Sequence, residues 1–277
     1  MKMIKLSRRS FLILTSMVSP VFSRIAFANQ DYTPLGHLPP LPPQYASLSN
    51  EEPMNGEFGN ELLVQGTLQP SSAEVAVARQ IIDAADALSQ SRPVEIAGFL
   101  LEVARGTHGN DWQPYTRAWP KDAHANPLIL DFFSAAKCSP KGDETAWCAA
   151  FVSWCILKGR KGAPTASLDK VPKNAGSSSF RTWGEPVVTF DTSSSVVRTH
   201  SAPQIGDLVV FQEMRANGTP DPTYGHVTFF VGMDGTRIQC LGGNQFEGHP
   251  TVHAINVKWI PIDGKLRLHS IRRNGIL

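Results

Sequence analysis

The chain is short of cysteine, has no internal repeat and carries no membrane-length apolar run beyond its opening residues. Each shortage removes a class of protein. Four cysteines in 277 residues, Cys138, Cys148, Cys155 and Cys240, are too few for a fold of this size to depend on disulfide staples. Their spacings specify no bridge. Cys148 and Cys155 stand one heptad apart, about 10 Å along a helix axis, too far to bond each other. No C-x2-C pair occurs, and His249 with His253 is the only H-x3-H, on a segment that reads as strand. No metal and no other cofactor is therefore expected. Charge of one sign is lacking too. Five of the 26 basic side chains (Lys2, Lys5, Arg8, Arg9 and Arg24) fall in an opening segment without acids, which leaves 21 against 24 acidic groups, net −3. That balance gives no reason to expect nucleic acid or an anionic membrane as partner.

What the opening does contain reads as an address. Ser7-Arg8-Arg9-Ser10-Phe11-Leu12-Ile13 has paired arginines followed by a short apolar stretch through Val18, the pattern of a twin-arginine export signal. Pro20 and Arg24 interrupt that stretch, which is too short to span a bilayer. Ala26-Phe27-Ala28 fits the small-x-small cleavage rule, so residues 1–28 are expected to be removed and the mature protein to be periplasmic. Residues 29–70 follow as a tether or arm, rich in proline at positions 34, 39, 40, 42, 43 and 53 and poor in core-forming residues.

Ordered structure is expected from Ser71, where Ser71-x-x-Glu74 forms a capping box. Val75, Ala78, Ile81, Ile82, Ala85 and Leu88 then recur at helical spacing. A second helix opens at Pro93 and runs to about Arg105, and the two make a helical extension over residues 71–110. Within residues 111–277, helices are predicted at Asn126–Lys137 and at about Thr145–Leu157. A loop-rich stretch from Gly162 to Ser201 comes next. Five strands are predicted after it, at Asp207–Phe211, His226–Met233, Arg237–Leu241, Val252–Val257 and Leu266–Ile271. Helices first and antiparallel strands afterwards is an α+β layout, with one layer packed on the other.

Three fragments carry chemistry. In Thr145-Ala146-Trp147-Cys148-Ala149-Ala150-Phe151-Val152, a thiol falls in the first turn of a buried helix, where orphan N–H groups favour a thiolate. In Gly225-His226-Val227-Thr228-Phe229-Phe230-Val231, an imidazole stands at the head of an apolar strand. In Leu241-Gly242-Gly243-Asn244-Gln245, an amide follows a strand that the Asp234-Gly235 turn brings back beside His226. Thiol, imidazole and amide in that order are the parts of a cysteine hydrolase. Asn244 is the expected orienting group, Gln245 its close competitor and Asp207 a more distant one. A thiol at a helix start beside an imidazole is also expected to ionise below the usual range and to form a thiolate–imidazolium pair.

Over residues 127 to about 272 the chain resembles the cysteine, histidine-dependent amidohydrolase/peptidase (CHAP-type) domains, within the NlpC/P60 group of papain-like cell-wall hydrolases. The resemblance rests on Trp147-Cys148-Ala149-Ala150-Phe151-Val152, Gly206-Asp207-Leu208-Val209-Val210-Phe211, Gly225-His226-Val227 and Gly242-Gly243-Asn244-Gln245. It implies a papain-like α+β core with Cys148 as nucleophile, His226 as base and Asn244 as orienting group. It also implies cleavage of an amide bond in the peptidoglycan stem peptide or between muramic acid and L-alanine. The helices of residues 71–105 are an addition to that core, and no cell-wall-binding repeat is recognisable. Two rival readings use the same residues. One is a papain-like acyltransferase or protein-directed peptidase, the other a catalytically silent wall-binding module.

Overall fold

The computed structural model describes residues 31–48, 69–88, 91–120, 122–140, 146–159, 171–191, 196–246 and 253–275. The export signal, the cleavage site, Thr145 as a helix cap and the strand start at Val252 lie outside the described residues. No described helix is long and apolar enough to cross a membrane.

Four helices precede the strands. Helix α1, Ser72–Ala87, starts on the capping box: the Ser71 N–H donates to Glu74 Oε2 at 2.7 Å, and the Glu74 N–H donates to Ser71 Oγ at 3.3 Å. Helix α2, Pro93–Ala104, has proline in its first turn, where the missing N–H removes no helical bond. Helix α3, Pro127–Ala135, is capped by Asn126, whose Oδ1 accepts the Leu128 N–H at 2.9 Å. Helix α4, Cys148–Gly159, is apolar apart from Ser153 and Lys158, and Phe151, Trp154 and Cys155 are among its buried side chains. A helix of that composition is stable only when enclosed. Helices α2 and α3 and two strands of the sheet enclose it.

Seven strands, β1 (Glu185–Asp191), β2 (Val196–Thr199), β3 (Leu208–Met214), β4 (Pro220–Met233), β5 (Arg237–Gln245), β6 (Ala254–Pro261) and β7 (Leu266–Arg273), form one sheet. Every neighbouring pair is antiparallel, in the order β2-β1-β7-β3-β4-β5-β6. The α+β expectation stands, and it is extended by two strands. Residues 185–191 and 196–199 belong to the sheet rather than to a loop, because backbone pairing with β7 holds β1 there despite its sparse apolar content. Successive residues of β3 enter two cores. Leu208 and Val210 join the helices in one, while Val209 and Phe211 meet Phe230, Ile238, Cys240 and Ile271 in the other. This is the two-residue period of a strand buried on both faces.

Residues 31–48 run across the domain. Leu35 is buried in the main core, and Tyr32, Leu38, Leu41, Tyr45 and Leu48 pack against it. Arg105 forks onto the carbonyls of Asp31 and Thr33, both at 2.7 Å. At the far end of the segment, Tyr45 OH donates to Glu74 Oε1 at 2.6 Å. The Glu74 carboxylate also accepts from Gln44 and sits 2.7 Å from His124 Nδ1. Burial pushes that carboxyl up, but the donors from Tyr45, Ser71 and His124 outweigh it and hold the group at about 2.

Candidate active site

Cys148 is the first residue of α4, so its neighbourhood is set by the helix start. The first helical hydrogen bond of α4 runs from the Phe151 N–H to the Trp147 carbonyl at 2.8 Å, which leaves the N–H groups of Cys148 and Ala149 without helical acceptors. Both reach the thiol, as does the N–H of Val227 on β4. The sulfur therefore lies against the strand that carries His226, one residue along. Trp147 is fully buried, and its ring packs on Phe132 and Phe151. It also fills the space above Gly243: a Cβ there would stand 2.1 Å from Trp147 Cζ3. Only glycine allows the end of β5 to come this close to the start of α4.

His226 is inside β4, not at its head, because the strand begins at Pro220. Gly225 before it is needed for close approach to β3, since a Cβ at that position would lie 2.1 Å from the Phe211 carbonyl oxygen. The imidazole is buried, 1% exposed. Its Nε2 is 2.7 Å from Gln245 Oε1, and the Gln245 amide settles which atom donates. Gln245 Nε2 already gives its two hydrogens to the carbonyls of Cys240 at 2.8 Å and Asn256 at 2.7 Å. Oε1 must then face the ring, and it can only accept. His226 is held as the Nε2–H tautomer, with Nδ1 as a bare lone pair. That Nδ1 is buried and has no hydrogen-bond partner among the described residues.

The amide that holds His226 is thus Gln245 and not Asn244. Asn244 is buried with a left-handed backbone, φ 61°. Its Oδ1 accepts from Nδ1 of His253 instead. The pairing of β5 with β6 shifts register between Gly242 and Gln245. The irregularity at Asn244 re-aims the side chains, so the second amide, rather than the first, points at the ring. Asp207, the distant competitor, is taken up elsewhere: Arg273 donates to both its oxygens at 2.8 and 2.7 Å, and the Gln204 N–H donates to Oδ2 at 2.7 Å.

The electrostatics differ from the expected ion pair. Burial pushes the Cys148 thiol up, against the three backbone N–H groups that favour its anion. Burial pushes His226 down to about 4, against the Gln245 hydrogen bond, with the charges of Lys258 and His253 lowering it further. Both shifts favour the neutral forms, so the resting site holds thiol and imidazole rather than thiolate and imidazolium. The helix start does attract negative charge, but desolvation of a 3% exposed sulfur outweighs it. What remains is a protonated sulfur against β4 and, on the residue before Val227 of that strand, an unprotonated ring nitrogen of fixed tautomer with no hydrogen-bond partner among the described residues.

Residues 140–244 match the family model of the CHAP domain. Such domains are generally hydrolases that act on peptidoglycan. The match covers α4 with Cys148, β3, and β4 with His226, and it ends on Asn244, one residue before the amide that meets the imidazole. No curated protein and no solved structure matches the chain.

Two residues of the site escape a reading by motif. Asn256, fully buried on β6, holds Gln245 through its carbonyl. An amide inside the apolar run Ala254-Ile255-Asn256-Val257 is the signal that would have singled it out. His253, partner of Asn244, gave no signal beyond its residue type.

Proposed function

We propose that this CHAP domain is a cysteine hydrolase cleaving an amide bond of peptidoglycan peptides, with Cys148 as nucleophile, His226 as general base and Gln245 as the residue that orients the base. The observation that carries this reading is the held tautomer: Gln245 accepts from His226 Nε2 while Nδ1 stays unpartnered beside the strand whose Val227 N–H reaches the Cys148 sulfur. Because both groups rest neutral, the thiol proton passes to Nδ1 as sulfur attacks the substrate carbonyl. The imidazolium then protonates the leaving amine. Water, deprotonated by the same nitrogen, hydrolyses the thioester and restores the thiol. The N–H groups at the start of α4, which have no helical acceptor, suit the oxyanion that develops during both attacks. The twin-arginine pattern of residues 7–13 supports delivery of the enzyme to the periplasm, where that substrate lies.

Mass spectrometry of purified muropeptides after incubation tests the reading. The wild type is expected to give products heavier in sum by one water, and Cys148→Ala none. Joined rather than hydrolysed products would turn the assignment to acyl transfer, and unchanged muropeptides to a silent wall-binding module. Cell fractionation of an Arg8→Lys/Arg9→Lys variant checks the route, the expected outcome being precursor retained in the cytoplasm.

A further inference from the structure

The hydrogen bonds that hold His226 do not end at Gln245. Gln245 Nε2 donates to the Asn256 carbonyl at 2.7 Å. The Asn256 side chain is fixed by two backbone donors, since its Oδ1 accepts from the N–H of Val257, its own neighbour, and from the N–H of Leu35, both at 2.8 Å. Leu35 lies 221 positions away, in the N-terminal segment. Asn256 is fully buried, and its Nδ2 has no partner among the described residues. A buried amide with one end orphaned carries a desolvation penalty, which a side chain serving packing alone would not. Its oxygen is the end that is used, and it is used to tie β6 to residue 35.

We propose that residues 31–48 are a positioning element of the active site, acting through Asn256 as a positioning residue. The path has three links: the Leu35 N–H to Asn256 Oδ1, the Gln245 amide to the Asn256 carbonyl, and His226 Nε2 to Gln245 Oε1. Several contacts away from the imidazole hold the segment in place. Arg105 grips the carbonyls of Asp31 and Thr33, Gln239 Nε2 donates to the Tyr32 carbonyl at 2.9 Å, and Arg117 Nη1 donates to the Pro39 carbonyl at 3.1 Å. Leu35 is buried in the main core between these anchors. The prolines at 34, 39, 40, 42 and 43 restrict the free chain towards extended conformations, which lowers the entropy lost on docking. With the segment docked, the Asn256 side chain and the backbone at 256–257 are held together, and Gln245 has one place to put its amide. With it undocked, Asn256 Oδ1 loses a donor in a dry site, and the amide that selects the His226 tautomer loses its brace.

This inference rests on the catalytic reading for its effect on rate but not for its effect on the imidazole, and the experiment separates the two. The full chain is prepared with 15N-labelled histidine as wild type, Asn256→Ala, Arg105→Ala and Arg79→Ala. The His226 signals are assigned by their loss in His226→Ala. Arg79 is an exposed control that pairs with Asp83 on the same helix. Arg105→Ala loosens the segment without touching Asn256, and serves if Asn256→Ala fails to fold. The wild type and Arg79→Ala are expected to show His226 as the Nε2–H tautomer alone, and the other two a mixture. On muropeptides, kcat is expected to fall about fivefold in Asn256→Ala and Arg105→Ala, the size of one lost hydrogen bond, with KM unchanged. A pure Nε2–H signal and unchanged kcat in both variants would overturn the proposal, whatever happens to the thermal midpoint. If the wild type hydrolyses no muropeptide, the catalytic reading fails alone, because the tautomer still reports whether the segment positions His226.

Discussion

One residue of offset separates Asn244 from Gln245, and it decides which amide works. Gln245 spends both hydrogens on carbonyls and its oxygen on His226, so no rotation of its amide leaves the bonds intact. Replacing it by alanine frees the imidazole to turn over, and Nδ1 then carries the proton part of the time. Gln245→Ala is expected to lower kcat on muropeptides about 10²-fold, the low end of what a positioned base contributes. Gln245→Glu keeps the acceptor but removes the two donors that fix it, so it restores part of that loss. Asn244→Gly is the informative contrast. Glycine takes a positive φ without strain, and the change removes only the contact to His253. It is expected to leave kcat nearly unchanged. A larger loss in Asn244→Gly than in Gln245→Ala would return the orienting role to Asn244 and sink the assignment made from the geometry.

At the scale of elements, the site exists where α4 and the end of β5 approach each other, and Gly243 is the point of closest approach. A methyl group there would stand 2.1 Å from Trp147 Cζ3, 2.6 Å from Cε3 and 2.9 Å from Phe151 Cγ. These are rigid rings that are themselves buried. Gly243→Ala must therefore push the start of α4, which carries Cys148, away from the strand. Overpacking of this kind is expected to reduce stability by about 1–3 kcal/mol in urea titrations and to reduce kcat even where the protein is fully folded. The same elements show how far a sequence can be read. The helices are legible because each has its own signal: the capping box at Ser71, the prolines at 93 and 127, and an apolar surface on α4. Cys148 is legible because its residue type coincides with a helix start, and His226 because a glycine precedes it and an apolar run follows. Strands β1 and β2 are not. All four residues of β2 are exposed, so no apolar alternation marks them, and they are strands only through backbone pairing. The choice of Gln245 is not legible either. It depends on a positive φ at Asn244 and a register shift against β6, and neither leaves a mark in residue type. Asn256 is intermediate: its oddness in an apolar strand is visible, its partners 11 and 221 positions away are not.

Across the whole molecule, buried histidines make the fold sensitive to mild acid, well before its carboxylates titrate. Burial holds His226, His253 and His269 at about 4, with the charges of Arg181 and Arg272 adding to the effect at His269. A histidine in the unfolded chain titrates near ~6.5. For a base whose folded value is depressed, the unfolded state binds more protons between those two values. Its neutral burial is therefore compatible with full stability above ~6.5, and stability is lost as pH falls from there towards 4. A second loss follows at lower pH. Glu74 is held at about 2 although burial opposes it, against ~4.3 in the unfolded chain, so its contribution is present above ~4.3 and disappears as pH falls towards 2. That group joins Tyr45 and Gln44 of the N-terminal segment to α1 and His124, so its protonation loosens the segment that braces Asn256. Urea titrations at pH 7, 5 and 4 are expected to show stability falling by up to roughly 3 kcal/mol for a fully buried histidine such as His226, and less for the partly exposed His269. In His226→Gln the decline between pH 7 and 4 should be shallower, since one of the three proton uptakes is gone. Glu74→Gln should match the wild type's slope down to about pH 5 and differ from it below that, as the unfolded carboxyl begins to take up its proton. A wild-type stability that stays level from pH 7 to 4 would mean that these imidazoles are open to water, and that the closed, neutral resting site described for Cys148 and His226 is not the form in solution.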